Sequence, residues 1–246
     1  MKKSVVFCIA VWIAMLLSGT ALGENLFEPC REYDDHMPVS FRYWLYAPEE
    51  VTADTPLVVF LHGYGERDGN ALYFGLPALI NDGTISDAQA VVVAPQLPKT
   101  CVQWIQIQNG ILRMIQAVQE RFHLRQDNVT LCGFSLGGMG ALDIAARHPG
   151  VFARVMDVGG RVSEGISVEA FADTDVRIYM GSLDEKLNRE SAARFAAAME
   201  KAGYDAHLTV WETDHRRILN MVFQDEEALG WLFSSTGHSA VAVGIL

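Results

Sequence analysis

Short apolar runs rich in β-branched residues recur along the chain, spaced so that a helix fits between them. Such runs predict strands buried on both faces, as in a parallel sheet. Two intervening stretches have helical periodicity, one with apolar side chains at Ile111, Ile115 and Val118 and one that is alanine-rich from Ser191 and ends at Gly203. The runs are Leu57–Leu61, Val91–Ala94, Val129–Cys132, Val155–Val158, Val176–Met180 and Leu208–Trp211. Strand and helix alternate, which predicts a doubly wound, mostly parallel α/β sheet flanked by helices.

The N-terminal segment 1–23 differs from the rest of the chain. Lys2 and Lys3 precede an apolar run from Val5 to Leu17, and small residues follow it. The run is shorter than the roughly 20 residues needed to cross a hydrocarbon core. The pattern predicts a signal peptide cleaved before Glu24 and a secreted or periplasmic protein, with an uncleaved membrane anchor as the alternative.

The segment 24–246 is predicted to form a single domain, because no Pro, Ser or Gly-rich linker divides it. Before the first buried run, Val39–Tyr46 predicts a strand in an antiparallel edge hairpin. The formal net charge of the chain is −11, and no contiguous Lys/Arg cluster follows the signal peptide. Nucleic acid and anionic membranes are therefore not expected as partners.

Three cysteines remain after the predicted cleavage, namely Cys30, Cys101 and Cys132. Cys132 lies in an apolar run that predicts a buried thiol. Cys30 and Cys101 are therefore expected to form a disulfide in an oxidising compartment. No CxxC pair or Cys/His cluster has zinc-ligand spacing, so no structural metal is expected. The serine chemistry predicted from the motifs that follow requires no cofactor.

The segment after the third run carries a G-x-S-x-G pattern centred on Ser135, followed by a helical stretch. This strand, turn and helix context predicts a nucleophile elbow. The turn is so tight that the residues two before and two after the serine must lack side chains. Glycine occupies both positions, Gly133 and Gly137. The start of the following helix offers the Leu136 N–H to a developing oxyanion.

A second turn, His62-Gly63-Tyr64-Gly65, follows the first apolar run. It is of the HGxG type that supplies the other half of an oxyanion hole. The predicted donors are the backbone N–H groups of Tyr64 and Leu136. The His62 ring is expected to brace the turn.

A serine nucleophile needs a histidine base and a carboxylate that orients it. His215 follows the last apolar run by a short loop and is the predicted base. Asp184, in the loop after the penultimate run, is the predicted acid. Asp157 is the rival, because it also ends a strand. Asp214 is disfavoured because it adjoins His215 in sequence.

These motifs resemble those of the α/β-hydrolase esterases, including carboxylesterase/phospholipase-type, dienelactone-hydrolase-like and secreted feruloyl-esterase or polyhydroxybutyrate-depolymerase-like proteins. The resemblance extends from about Leu57 to His215 and includes Leu61-His62-Gly63-Tyr64-Gly65-Glu66-Arg67, Ala94-Pro95-Gln96, the serine turn and Pro149-Gly150-Val151-Phe152-Ala153. It implies an α/β-hydrolase fold and an ester-hydrolysing activity. The short segment after Asp157 leaves no room for a large lid.

The resulting prediction is a serine carboxylic-ester hydrolase acting on a small-molecule or polymer-attached ester. Trp104 and Met139 are candidate substrate-binding residues. Arg216 and Arg217 either favour an acidic substrate or are solvated at a helix start. A peptidase or thioesterase of the same fold is the alternative, and a noncatalytic binding module is the rival from another class.

Overall fold

A computed structural model of the protein describes residues 26–235. The predicted signal peptide and the tail beyond residue 235 lie outside the described residues, so cleavage before Glu24 stays a prediction. The eight strands are β1 (Glu28–Asp34), β2 (Val39–Tyr46), β3 (Leu57–Leu61), β4 (Val91–Pro95), β5 (Val129–Phe134), β6 (Arg154–Val158), β7 (Asp175–Gly181) and β8 (Ala206–Trp211). They form a single sheet in the order β1-β2-β4-β3-β5-β6-β7-β8.

Strands β3 to β8 pair in parallel, and each contains one of the six predicted apolar runs. The predicted edge hairpin is also present, since β1 pairs antiparallel with β2 and β2 pairs antiparallel with β4. The order along the sheet differs from the order along the chain, so helices cover both faces. The predicted doubly wound, mostly parallel α/β fold is confirmed.

The central strands are buried on both faces because successive side chains point in opposite directions. In β3, Leu57, Val59 and Leu61 belong to one hydrophobic cluster, whereas Val58 and Phe60 belong to the other. Each cluster fills the space between the sheet and one helical layer. This double burial explains why the central strands are continuous apolar runs instead of alternating patterns.

The helices of the described residues are α1 (Gly75–Asn81), α2 (Gln108–Phe122), α3 (Leu136–Arg147), α4 (Lys186–Ala202), α5 (Arg217–Val222) and α6 (Glu226–Phe233). Short 3-10 helices cover Tyr64–Asp68, Ala71–Tyr73, Trp104–Ile107 and Val168–Phe171. The residue after α4, Gly203, has a left-handed backbone with φ of 76°, as predicted for a helix stop. None of the helices between residues 26 and 235 has the length and apolar character needed to span a bilayer.

The connection between β6 and β7 is short, as predicted. It contains a single 3-10 helix, Val168–Phe171, and no inserted domain. Its first residues, Gly159 and Gly160, turn beside the carboxyl ends of the strands. The described residues therefore contain no large lid over that end of the sheet.

The predicted disulfide between Cys30 and Cys101 is not formed in the structure, where both are thiols. Cys30 Sγ lies 3.9 Å from Glu28 Oε1, whereas Cys101 Sγ lies 4.0 Å from Thr100 Oγ1. The two sulfur atoms are thus directed to different polar neighbours. Cys132 is buried in β5, as predicted.

Candidate active site

Ser135 occupies the tight turn between β5 and α3. Its backbone has φ of 55° and ψ of −114°, and a positive φ is uncommon for a residue with a side chain. The Ser135 N–H donates to Val158 O over 2.8 Å, and the Ser135 carbonyl accepts from the Met139 N–H over 3.0 Å. The neighbouring strand and the helix thus hold the serine in a strained conformation.

Backbone packing around this turn excludes side chains at two positions. A Cβ atom at Gly137 would lie 1.9 Å from the carbonyl oxygen of Leu61 at the end of β3. A Cβ atom at Gly133 would lie 2.4 Å from the carbonyl carbon of Gly137. Both positions therefore require glycine because β5, α3 and the end of β3 approach one another backbone to backbone.

The loops after β7 and β8 bring an acid and a histidine to the serine. His215 Nε2 lies 2.9 Å from Ser135 Oγ. On the other side of the ring, His215 Nδ1 lies 2.7 Å from Asp184 Oδ2. The structure therefore assembles Ser135, His215 and Asp184 into one continuous chain of hydrogen bonds, in the arrangement that activates a serine hydroxyl.

The acid in this chain is buried, yet it is held in its charged form. Burial opposes ionisation of Asp184, but its hydrogen bonds with His215, the Glu185 N–H and Asn188 outweigh burial and lower its pKa. The hydrogen bond to Asp184 raises the pKa of His215, against the opposing effect of burial. The Asp184 carboxylate therefore orients the His215 ring and favours its protonated form.

Asp157 lies at the end of β6 and does not contact the histidine ring through a hydrogen bond. Its Oδ1 accepts the Gly160 N–H over 2.7 Å, and its Oδ2 has no hydrogen-bond partner among the described atoms. Burial raises the pKa of Asp157 to about 7, and the Gly160 hydrogen bond opposes this shift. The structure thus places Asp157 as an anchor of the Gly159–Gly160 turn.

The HGxG turn is braced by a buried, neutral His62. The Nδ1–H of its ring donates to Gly63 O over 2.7 Å, and its Nε2 accepts from the Leu97 N–H over 3.1 Å and from Gln96 Nε2 over 2.9 Å. Burial lowers the pKa of His62 to about 4. The ring therefore stays neutral near pH 7, and its unprotonated Nε2 serves as the hydrogen-bond acceptor.

Gln96 extends this brace to the rest of the turn. Its side-chain amide nitrogen also donates to Glu66 O over 2.9 Å, and its oxygen accepts from the Ala71 N–H over 2.8 Å. Gln96 follows β4, which is beside β3 in the sheet. The sequence pattern Ala94-Pro95-Gln96 marked this position, but not its role as a brace.

The two predicted oxyanion donors begin helices. Tyr64 starts the 3-10 helix after β3, and Leu136 starts α3. The first N–H groups of a helix have no acceptor within that helix. Both groups lie on segments that meet at the Gly137 contact, so the structure brings together the elements that carry them.

The two predicted substrate-binding residues differ in their exposure and position. Trp104 is fully buried, and its Nε1–H donates to His62 O over 3.0 Å. It lies under the HGxG turn and forms no wall of the open site, because its indole packs into the core. Met139 is half-buried on the first turn of α3, beside Ser135.

A cavity of about 350 Å³ opens beside Phe134. Phe134, the residue before Ser135, forms part of its wall, and its ring lies 5.0 Å from the His215 ring and 5.6 Å from the Phe74 ring. Ala78, Leu79 and Leu219 add apolar surface, while Glu66 and Arg216 are polar members of the lining. The sequence motifs included Glu66 and Arg216, whereas the apolar members Ala78, Leu79 and Leu219 were not marked because they belong to separate short helices.

Among residues 26–235, no three His, Cys, Asp or Glu side chains are grouped to hold a metal ion. Residues 111–218 match the family model described as "Putative esterase". The comparison with curated proteins gave no significant match.

Many solved structures, in contrast, resemble this chain in fold. A thermostable esterase superposes with a TM-score of 0.71 at 22% identity, over 85% of this chain and 63% of that one. A ferulic acid esterase gives 0.67 at 12% identity, over 84% and 97% of the two chains. The chain has an α/β-hydrolase fold. An S-formylglutathione hydrolase from Staphylococcus aureus gives 0.65 at 13% identity, over 85% and 98%. The predicted resemblance to α/β-hydrolase esterases is confirmed. The chain spans less than two thirds of the length of the thermostable esterase.

Asp184→Asn should reduce kcat for ester hydrolysis by up to about 10⁴-fold, because an amide no longer fixes the tautomer of His215. Asp157→Asn should keep most of the activity, because its side-chain oxygen can still accept the Gly160 N–H. Steady-state kinetics on nitrophenyl acetate and circular dichroism of both variants test this. The reversed ranking in two folded variants would assign the acid to Asp157.

The pH dependence should report the titration of His215. The base must be neutral, so kcat/KM should fall as the pH drops through the His215 pKa. The Asp184 hydrogen bond raises that pKa above the ordinary value of about 6.5. The midpoint of the rate profile should therefore lie above 6.5 in the parent protein and at lower pH in Asp184→Asn. An identical midpoint in both proteins would contradict the coupling.

Proposed function

We propose that this α/β-hydrolase cleaves carboxylic esters through an acyl-enzyme intermediate on Ser135. The observation that carries the proposal is the hydrogen-bond chain from Ser135 Oγ through His215 to Asp184, with contacts of 2.9 and 2.7 Å. The match of residues 111–218 to an esterase family supports the same reaction class. The roles of the individual residues are part of the proposal.

The first half of the proposed reaction acylates the serine. Ser135 Oγ attacks the ester carbonyl carbon while His215 Nε2 takes its proton. The oxyanion accepts hydrogen bonds from the N–H groups of Tyr64 and Leu136, which are aimed at the charge that develops. The imidazolium then gives its proton to the departing alkoxide, and the alcohol leaves.

The second half regenerates the enzyme. A water molecule attacks the acyl-serine carbonyl while His215 takes one of its protons. The same two N–H groups hold the second oxyanion. His215 then returns the proton to Ser135 Oγ as the carboxylic acid leaves, so no cofactor is consumed.

The cavity beside Phe134 is the proposed site for an apolar arm of the ester. Its surface is apolar near Phe74, Ala78 and Leu219, and the Phe134 ring connects it to His215. Water displaced from such surface favours binding by roughly 25 cal/mol per Å². The substrate is accordingly a small-molecule or polymer-attached ester with at least one apolar group.

The proposed enzyme is exported from the cytoplasm. The apolar run Val5–Leu17 behind two lysines supports cleavage before Glu24 and a secreted or periplasmic enzyme. The strongly acidic charge of the chain supports a substrate other than nucleic acid or an anionic membrane surface.

Ser135→Ala should lower kcat by at least about 10³-fold, because the acyl-enzyme can no longer form. A fluorophosphonate probe should label the parent protein at Ser135 and leave the variant unlabelled. Peptide mass spectrometry locates the adduct, and circular dichroism checks the fold. Undiminished ester turnover by the alanine variant would exclude the mechanism.

Ala78→Phe should narrow the cavity and lower kcat/KM for a long ester arm by about tenfold relative to a short one. Two ester series test this, nitrophenyl esters of graded acyl length and acetates of graded alcohol length. Ala202→Phe, on the exposed last residue of α4, is the matched control. Unchanged selectivity of Ala78→Phe in both series would remove the cavity from the substrate site.

A further inference from the structure

Three guanidinium groups from three different elements line one cavity. Arg31 lies on β1, Arg42 on β2 and Arg67 on the 3-10 helix Tyr64–Asp68. The cavity has a volume of about 240 Å³, and Lys99 also lines it. The four positively charged residues share this cavity although the chain carries a formal net charge of −11.

The strand register forces two of these charges together. Arg31 and Arg42 are directly opposite each other in the antiparallel pairing of β1 with β2. Residues paired in this way project from the same face of the sheet, and like charges in that position destabilise it. Both side chains are exposed. Repulsion between the two positive charges destabilises the β1–β2 pairing unless a bound anion neutralises them.

The contacts of the three arginines among the described residues are with neutral groups. Arg31 Nη1 donates to Ser40 Oγ over 3.1 Å, and the Arg42 guanidinium lies 5.6 Å from the centre of the Trp44 ring. These contacts orient the two side chains. A hydroxyl and an aromatic ring leave the positive charge in place.

Arg67 is held more firmly, again without a carboxylate. Its Nη1 donates to Cys101 O over 3.0 Å and its Nε to Tyr64 O over 3.3 Å. The guanidinium also lies 3.7 Å from the centre of the Tyr64 ring. The charge is therefore fixed at the edge of the cavity beside the turn that carries Tyr64.

We propose that this cavity binds a small oxyanion: a phosphate, sulfate or carboxylate group. Guanidinium groups offer forked N–H donors that match the oxygens of such anions. The Ser40 hydroxyl, which also lines the cavity, adds a neutral donor. The volume of 240 Å³ is below the range of about 300–1,000 Å³ typical of larger ligands, so a single small charged group fits best.

The anion has two chemical sources. It is either a charged group of the ester substrate, because the cavity adjoins the Tyr64 turn, or a free anion. Binding itself does not depend on the proposed ester hydrolysis, whereas the first of these sources does.

Isothermal titration of the whole protein with sodium sulfate tests the site, with ionic strength held constant by sodium chloride. One saturable site is expected, and the double variant Arg31→Gln/Arg42→Gln should weaken it at least tenfold. Arg194→Gln/Lys201→Gln on α4 removes the same charge elsewhere and should leave binding unchanged. No saturable binding, or equal weakening in both folded double variants, would overturn the proposal.

Ester kinetics then distinguish the sources. If the anion belongs to the substrate, Arg31→Gln/Arg42→Gln should raise KM at least tenfold for the acetate ester of 3-hydroxypropanesulfonate but not for butyl acetate. If it is a free anion, both esters should keep their KM while sulfate binding is still lost. Absence of ester turnover with intact sulfate binding would reject the proposed function and leave the anion site standing.

Discussion

The candidate active site depends on the close contact between the β5–α3 turn and the end of β3. A side chain at Gly137 would overlap the Leu61 carbonyl, so only glycine permits this approach. The same contact brings the segment that carries Ser135 against the segment that carries Tyr64. The proposed nucleophile and the proposed oxyanion donors are therefore positioned by one backbone packing constraint, and a shift in either element would separate them.

The second requirement is a rigid HGxG turn, which a neutral buried histidine supplies. His62 donates through Nδ1 and accepts through Nε2, a combination that only the uncharged ring can make. Burial disfavours the charged ring, and Trp104 below it completes the packing. The pKa values of the two histidines are thus shifted in opposite directions. Burial lowers the pKa of His62 and keeps its ring neutral, whereas the Asp184 carboxylate raises the pKa of His215.

The sequence predicted those parts of the fold whose signal is local. Strands β3 to β8 are apolar runs because both of their faces are buried, and α2 shows its period because one face packs on the sheet. The short helices α1 and α6 were not predicted, since they are stabilised by tertiary packing of residues such as Leu76 and Leu232. The elbow was predictable because its glycines and serine are adjacent in sequence.

Two features assembled across elements were predicted incorrectly, namely the orientation of Trp104 and the Cys30–Cys101 disulfide. An aromatic residue near the site motifs does not reveal which way it faces, and Trp104 packs inward instead of lining the site. The parity of three cysteines likewise does not place two sulfur atoms side by side.

Charge shows the same limitation most clearly. No contiguous cluster of basic residues follows the predicted signal peptide in the sequence. Strand pairing nevertheless places Arg31 opposite Arg42, and the turn after β3 adds Arg67. The net charge of the chain describes its average field at a distance, whereas recognition depends on the local field within a few ångströms. An acidic protein can therefore present a basic pocket, and the feature that reveals it is the register of a hairpin, which neither composition nor motif contains.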